Sequence, residues 1–98
     1  MKLNITASAK RDIEDIFTDG LGKHGESQAR SYIQNIYAKL HMLLDFPYLG
    51  HMRADIPDTH RAVRAEKDHI AVYRIDSDII HIVRILYCGF DFTQQDIQ

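Results

Sequence analysis

Pro47-Tyr48-Leu49-Gly50 closes a long amphipathic helical stretch, and two β-rich runs, Ile70 to Ile75 and Ile79 to Leu86, follow it. A proline nitrogen cannot donate a hydrogen bond, and its ring pushes the preceding Phe46 out of the helical region, so a helix is predicted to stop there. Upstream of this point the apolar residues recur mainly with helical period, and downstream they alternate as strands do. That order of parts decides the fold class.

Working back from Pro47, residues Ala29, Ile33, Ile36, Tyr37, Leu40, Leu43 and Leu44 form one stripe, with Gln28, Arg30, Gln34, Asn35 and Lys39 elsewhere on the helix. Ahead of it, Thr18-Asp19-Gly20-Leu21-Gly22-Lys23-His24-Gly25 holds three glycines, enough backbone freedom to end one helix and reverse the chain into another. A first helix is expected from about Ala7 to about Thr18, with Ala9, Ile13, Ile16 and Phe17 at helical spacing and the Thr6 hydroxyl as N-cap. Leu3 and Ile5 fall on one face of a short opening strand, Lys2 to Thr6, whose partner strand the sequence does not reveal.

Forward of Gly50, the segment Tyr48 to Thr59 reads as a loop. Arg61 to Ala65 then reads as a first meander strand, Ile70 to Ile75 as a second, and Asp76-Ser77-Asp78 as a tight turn into a third, Ile79 to Leu86. Short connections keep successive elements adjacent. The expected fold is therefore α+β, in the order β-α-α-β-β-β: a helical hairpin packed on an antiparallel-rich sheet. A chain of 98 residues accommodates one such domain, 1–98, with a short tail from about residue 90.

Composition narrows the function classes. With 45% hydrophobic and 27% charged residues and no low-complexity run, the chain reads as globular. No stretch approaches a membrane span, the amino terminus lacks a signal-peptide core, and the single cysteine, Cys88, cannot form an internal disulfide, so a cytoplasmic location is expected. The net charge is -2, and between Arg53 and Arg84 the cations Arg53, Arg61, Arg64, Lys67, Arg74 and Arg84 are matched by Asp55, Asp58, Glu66, Asp68, Asp76 and Asp78. That balance argues against direct nucleic-acid binding, and the sequence does not require a local basic patch.

Taken in order, the chain shows Ala9, Asp12-Ile13 and Ile16 on the first helix, Gly25 before the second, and Pro47-Tyr48-Leu49-Gly50 after it. Arg61 opens a strand, Ala71-Val72-Tyr73-Arg74-Ile75 forms the next, and Ile82-Val83-Arg84-Ile85-Leu86 the last. This sequence of motifs resembles the ParE branch of the RelE/ParE bacterial toxins over roughly Leu3 to Asp91. Two features depart from that pattern. Many relatives carry His and a basic pair after the last strand, where this chain has Tyr87-Cys88-Gly89-Phe90-Asp91, and the arginine often found after Leu-Gly is His51 here.

The resemblance implies the toxin of a bacterial type II toxin–antitoxin pair. A ParE-like member inhibits DNA gyrase by binding it and trapping cleaved DNA, whereas a RelE-like member cleaves messenger RNA on the ribosome with basic side chains and a Tyr or His. A toxin-fold interaction module without activity is the third reading, kept open by the departures at Tyr87 to Phe90. The implied partners are a cognate antitoxin, laid as a partly disordered segment over the hairpin and sheet, and gyrase; homo- or hetero-oligomers are compatible with both.

For target contact the candidates are Arg61, Arg64, Arg84, Tyr87, Phe90 and Phe92, because exposed arginines and aromatics supply most interface energy. Phe90 and Phe92 would instead close the core if the tail folds back on the sheet. Arg61 would otherwise anchor a loop through Asp55 or Asp58. In the RNase reading the set is Arg61, Arg84 and Tyr87, which meet only if the last strand lies beside the first meander strand, and alternation puts Arg84 and Tyr87 on opposite faces. Arg84→Ala is expected to leave folding intact and relieve toxicity. No cofactor is implied, and the nine-residue spacing of His51, His60 and His69 matches no common metal-ligand motif.

Overall fold

The computed structural model describes every residue from Met1 to Gln98. Its elements are β1 (Lys2–Ile5), α1 (Ala7–His24), α2 (Glu26–Met42), β2 (His60–Glu66), β3 (His69–Asp76) and β4 (Ile79–Tyr87), with a 3-10 turn at Phe92–Gln94 in the tail. The order is the expected β-α-α-β-β-β. The sheet runs β1-β4-β3-β2, with the meander β2-β3-β4 antiparallel and β1 parallel to β4, so it is a mixed sheet whose opening strand joins the last one. No helix is long and apolar enough to cross a membrane.

The helical hairpin differs from the expectation. α1 does not stop near Thr18 but continues to His24, and Gly25 alone reverses the chain at φ 85°. Its N–H caps Leu21 O at 3.2 Å and its carbonyl accepts from Ala29 N at 3.1 Å, so one residue closes one helix and opens the next. Gly20 matters for packing instead, since a Cβ there would sit 3.2 Å from Ala29 Cβ and its absence lets the helices approach closely. At the other end, Thr6 Oγ1 accepts from Ala9 N and donates to Ile82 O at 2.9 Å, capping α1 while tying it to β4. α2 ends at Met42, ahead of Pro47.

Both faces of the sheet are covered. On one, Ile13, Ile36 and Leu40 from the helices and Leu43 just past α2 meet Tyr73, Ile80, Ile82 and Ile85 from the strands. On the other, Ile56 from the long loop and Phe92 from the tail cover Ile70, Val72, Val83 and Leu86, with Ile97 packed alongside. Of the two tail aromatics that could have closed the core, Phe92 does so and Phe90 stays half-exposed. A bulge sets the faces of β4: Val72 pairs with Arg84 and Tyr73 with Ile82, which leaves Val83 as the extra residue.

Candidate partner-binding site

The motif residues are largely occupied with one another. Tyr73 is fully buried, and its hydroxyl donates to Pro47 O and accepts from Gly50 N, each at 2.8 Å. Arg61 Nη1 donates to Gly50 O at 2.8 Å, its guanidinium lies 4.9 Å from the Tyr48 ring centre, and His51 and Ala62 exchange two backbone hydrogen bonds. A Cβ on Gly50 would lie 2.7 Å from Tyr73 Cε1 and 2.9 Å from Ala62 O, so only glycine fits. Pro47, Gly50, Arg61 and Tyr73 thus form a single lock that pins the long loop to the edge of β2. Arg61 anchors that loop, the alternative to target contact, but it does so through Gly50 O and not through Asp55 or Asp58. Asp55 belongs to Arg53, whose hydrogen bond holds that carboxyl below its usual range.

A second lock joins α1 to β4. β1 ends opposite Ile82, and beyond it the Asp12 carboxylate takes the place of a strand partner, accepting Ile85 N at 2.9 Å. The same carboxylate receives Arg84 Nε at 2.7 Å and Nη2 at 3.0 Å, while Arg84 Nη1 donates to Asp96 O of the tail at 2.9 Å. The bidentate pair is mostly buried, with side-chain exposures of 18% for Arg84 and 15% for Asp12, and the hydrogen bond to Asp12 raises the arginine's pKa further. One side chain therefore clamps helix, strand and tail.

Past this clamp, a cleft of about 860 Å³ opens between the tip of the hairpin and the end of β4. Its floor carries an aromatic chain: Tyr32 against His69, His69 against Tyr87, and Tyr87 against Phe90, at ring-centre distances of 5.5, 6.1 and 5.6 Å. Tyr32 OH lies 2.7 Å from His69 Nδ1 and accepts from Asp68 N at 3.0 Å, joining the ring to the β2–β3 turn. Burial pushes the His69 pKa down and that of Tyr32 up, which keeps both neutral. Tyr87 and Phe90 are 47% and 48% exposed at the mouth. Gly89 lets the Tyr87 ring fold over the backbone between them, where a Cβ would push the ring aside. Lys23 and Lys67 also line the cleft.

With this geometry in place, the match to known proteins is informative. A family model for the ParE toxin of the type II toxin-antitoxin system, parDE, matches residues 3–92. The chain belongs to the ParE toxin family. Toxin ParE1 of Caulobacter vibrioides is 26% identical over 83 residues, which cover 85% of this chain and 84% of that protein. A chain of the solved structure "Chromosomal ParDE TA system from P. aeruginosa" shares the fold at a TM-score of 0.78 and 22% identity, covering 89% of this chain and 95% of that one.

The expected contact residues of this ParE-family chain divide. Tyr87 and Phe90 stand at the cleft mouth, whereas Arg64 is exposed but outside the cleft lining, with Nη1 donating to Lys67 O in the β2–β3 turn. Phe92 is withdrawn from the surface: it is 1% exposed under the second face of the sheet, with the Arg53 guanidinium 4.3 Å from its ring centre. Arg84 is committed to Asp12 and the tail. The RNase set of Arg61, Arg84 and Tyr87 does not converge, because β3 separates β4 from β2. Arg61 serves the loop at the β2 edge of the sheet, while Arg84 and Tyr87 of β4 border the cleft. His51, His60 and His69 lie apart, and no group of three potential ligands comes together. The Tyr32–His69 pair escaped sequence reasoning, as nothing in the spacing of residues 37 apart marks it.

Proposed function

We propose that this ParE-family chain acts by binding DNA gyrase and holding DNA in its cleaved state, and that a cognate antitoxin neutralises it by covering the hairpin and the adjoining sheet. The observation that supports this reading most strongly is how the cations are used. Arg61 and Arg84 each serve an internal lock, in separate parts of the fold, and neither is free beside a general base. What remains accessible at the cleft is suited to docking: two half-exposed aromatic rings, Tyr87 and Phe90, in a lining that carries Lys23 and Lys67 as well as Asp15, Asp19 and Asp68.

Induced expression in bacteria lacking the antitoxin tests the reading, with the DNA-damage response and messenger RNA integrity scored in one culture. DNA breaks with intact messages are the expected result. Cleaved messages without DNA damage would assign the chain to the ribosome-dependent nucleases, and unimpaired growth with folded protein to an inactive interaction module.

A further inference from the structure

Between the end of α2 and the His51–Ala62 bridge, the chain presents apolar side chains to water. Met42, Phe46, Tyr48, Leu49 and Met52 are all exposed, from 39% for Leu49 to 65% for Tyr48. Consecutive turns keep the first of them close: Phe46 N donates to Met42 O at 3.1 Å and Leu49 N to Phe46 O at 3.0 Å. Taking a large side chain as roughly 200 Å², the five leave roughly 500 Å² of mostly apolar surface in contact with water. A protein interface of standard size takes about 800 Å² from each partner, a little over half of it apolar, so this segment carries the apolar share of one side. Neither the cleft nor the covered second face of the sheet uses any of the five.

Part of the segment borders a hollow. Tyr48 and Met52 line a shallow pocket of about 410 Å³ together with Asp58, Thr59 and Arg61. The Arg61 guanidinium lies 4.9 Å from the Tyr48 ring centre and commits one N–H to Gly50 O, which leaves the rest of its donor fork without a protein acceptor. Asp58 is exposed, and neither it nor Arg61 takes part in a salt bridge within the chain. An uncompensated cation and an uncompensated carboxylate therefore line one pocket beside exposed apolar side chains. Because the lock to Tyr73 already fixes this loop, docking on it orders little that is not ordered beforehand. A partner patch of one sign would leave either Arg61 or Asp58 unanswered. A second copy related by a two-fold axis offers both signs at once.

We propose that this face is the contact surface of a homodimer, in which the Tyr48–Met52 segments of two copies pack across a two-fold axis and Asp58 of each copy pairs with Arg61 of the other. The hollow beside Tyr48 and Met52 receives an apolar side chain of the second copy, and Phe46 and Leu49 extend the apolar contact. No residue lines both this pocket and the cleft that carries Tyr87 and Phe90, so the contact does not occupy the cleft. The proposal does not rest on gyrase being the target.

Sedimentation equilibrium of the purified full-length chain, without antitoxin and over a range of concentrations, tests this. A reversible monomer–dimer equilibrium with no larger species is expected. Tyr48→Ser/Met52→Ser should raise the dissociation constant by about tenfold or more, and so should Asp58→Arg, which sets like charges against each other across the axis. All three positions are exposed, so the melting temperatures of these variants should match that of the unsubstituted chain. Lys23→Ala in the cleft should leave the equilibrium unchanged. A chain that stays monomeric up to its solubility limit would overturn the proposal, and loss of antitoxin or gyrase binding in the variants would then give the face to that partner. A dimer that survives both variants would overturn it as well, because its contact would lie elsewhere. So would growth into open-ended oligomers, which a closed two-fold contact does not allow.

Discussion

Tyr73 shows how much one hydroxyl can carry. Its oxygen is shared by Pro47 O and Gly50 N, so Tyr73→Phe leaves a buried donor and a buried acceptor unpaired and is expected to cost about 2 kcal/mol. Urea unfolding should show a lower midpoint with an unchanged slope. Arg84 requires a revision of the same kind. Read from sequence it is a contact residue whose removal spares folding, but in the fold it holds Asp12, and Arg84→Ala would strand a mostly buried carboxylate. A loss of about 2–3 kcal/mol is expected, below the full figure for a buried pair because both groups keep some solvent. The double variant Arg84→Ala/Asp12→Ala should lose less than the sum of the two single losses, and additivity in a double-mutant cycle would show that the pair is not coupled.

The elements were legible wherever period and punctuation were strong. The stripe of α2 and the three meander strands could be read directly, because each follows from local chemistry, whereas α2 ends at Met42, ahead of the Pro47 predicted to stop it. The end of α1 could not be read: Gly20, Gly22 and Gly25 look alike in sequence, and only packing against Ala29 distinguishes a glycine that admits a neighbouring helix from one that turns the chain. For the tail the sequence left two readings open, contact or core closure for Phe90 and Phe92 alike, and only the packing separates the half-exposed Phe90 from the buried Phe92. Its burial against Val72, Val83 and Leu86 predicts that Phe92→Ala loses about 3–4 kcal/mol, whereas Phe90→Ala, at a half-exposed ring, should change the melting temperature little. Comparable losses in the two variants would mean that the tail does not roof the sheet.

Considered as a whole, the molecule places two internal locks toward opposite edges of the sheet, at β2 and at β4 beyond the end of β1, and leaves an aromatic cleft beside the second. The motifs that made the family legible are mostly the residues of those locks, which is why they report on the fold. Pairs such as Asp12 and Arg84, 72 residues apart, leave no local trace. The whole fold also responds to pH through His60 and His69, whose pKa values burial holds below 6.5. Between those folded values and 6.5 the unfolded chain binds more protons than the folded one, so this contribution to stability is complete above 6.5 and is lost as the pH falls through that window. Thermal melts from pH 7.5 down to about 5 should show a decline that His60→Gln reduces, and a flat profile would contradict the burial argument. Gyrase trapping itself is tested most directly by incubating the purified protein with DNA gyrase and supercoiled plasmid, followed by denaturation to reveal covalently trapped breaks. Accumulation of linear DNA that requires gyrase and disappears with Tyr87→Ala/Phe90→Ala is the predicted result; supercoiling that proceeds with no trapped breaks at saturating protein would contradict it.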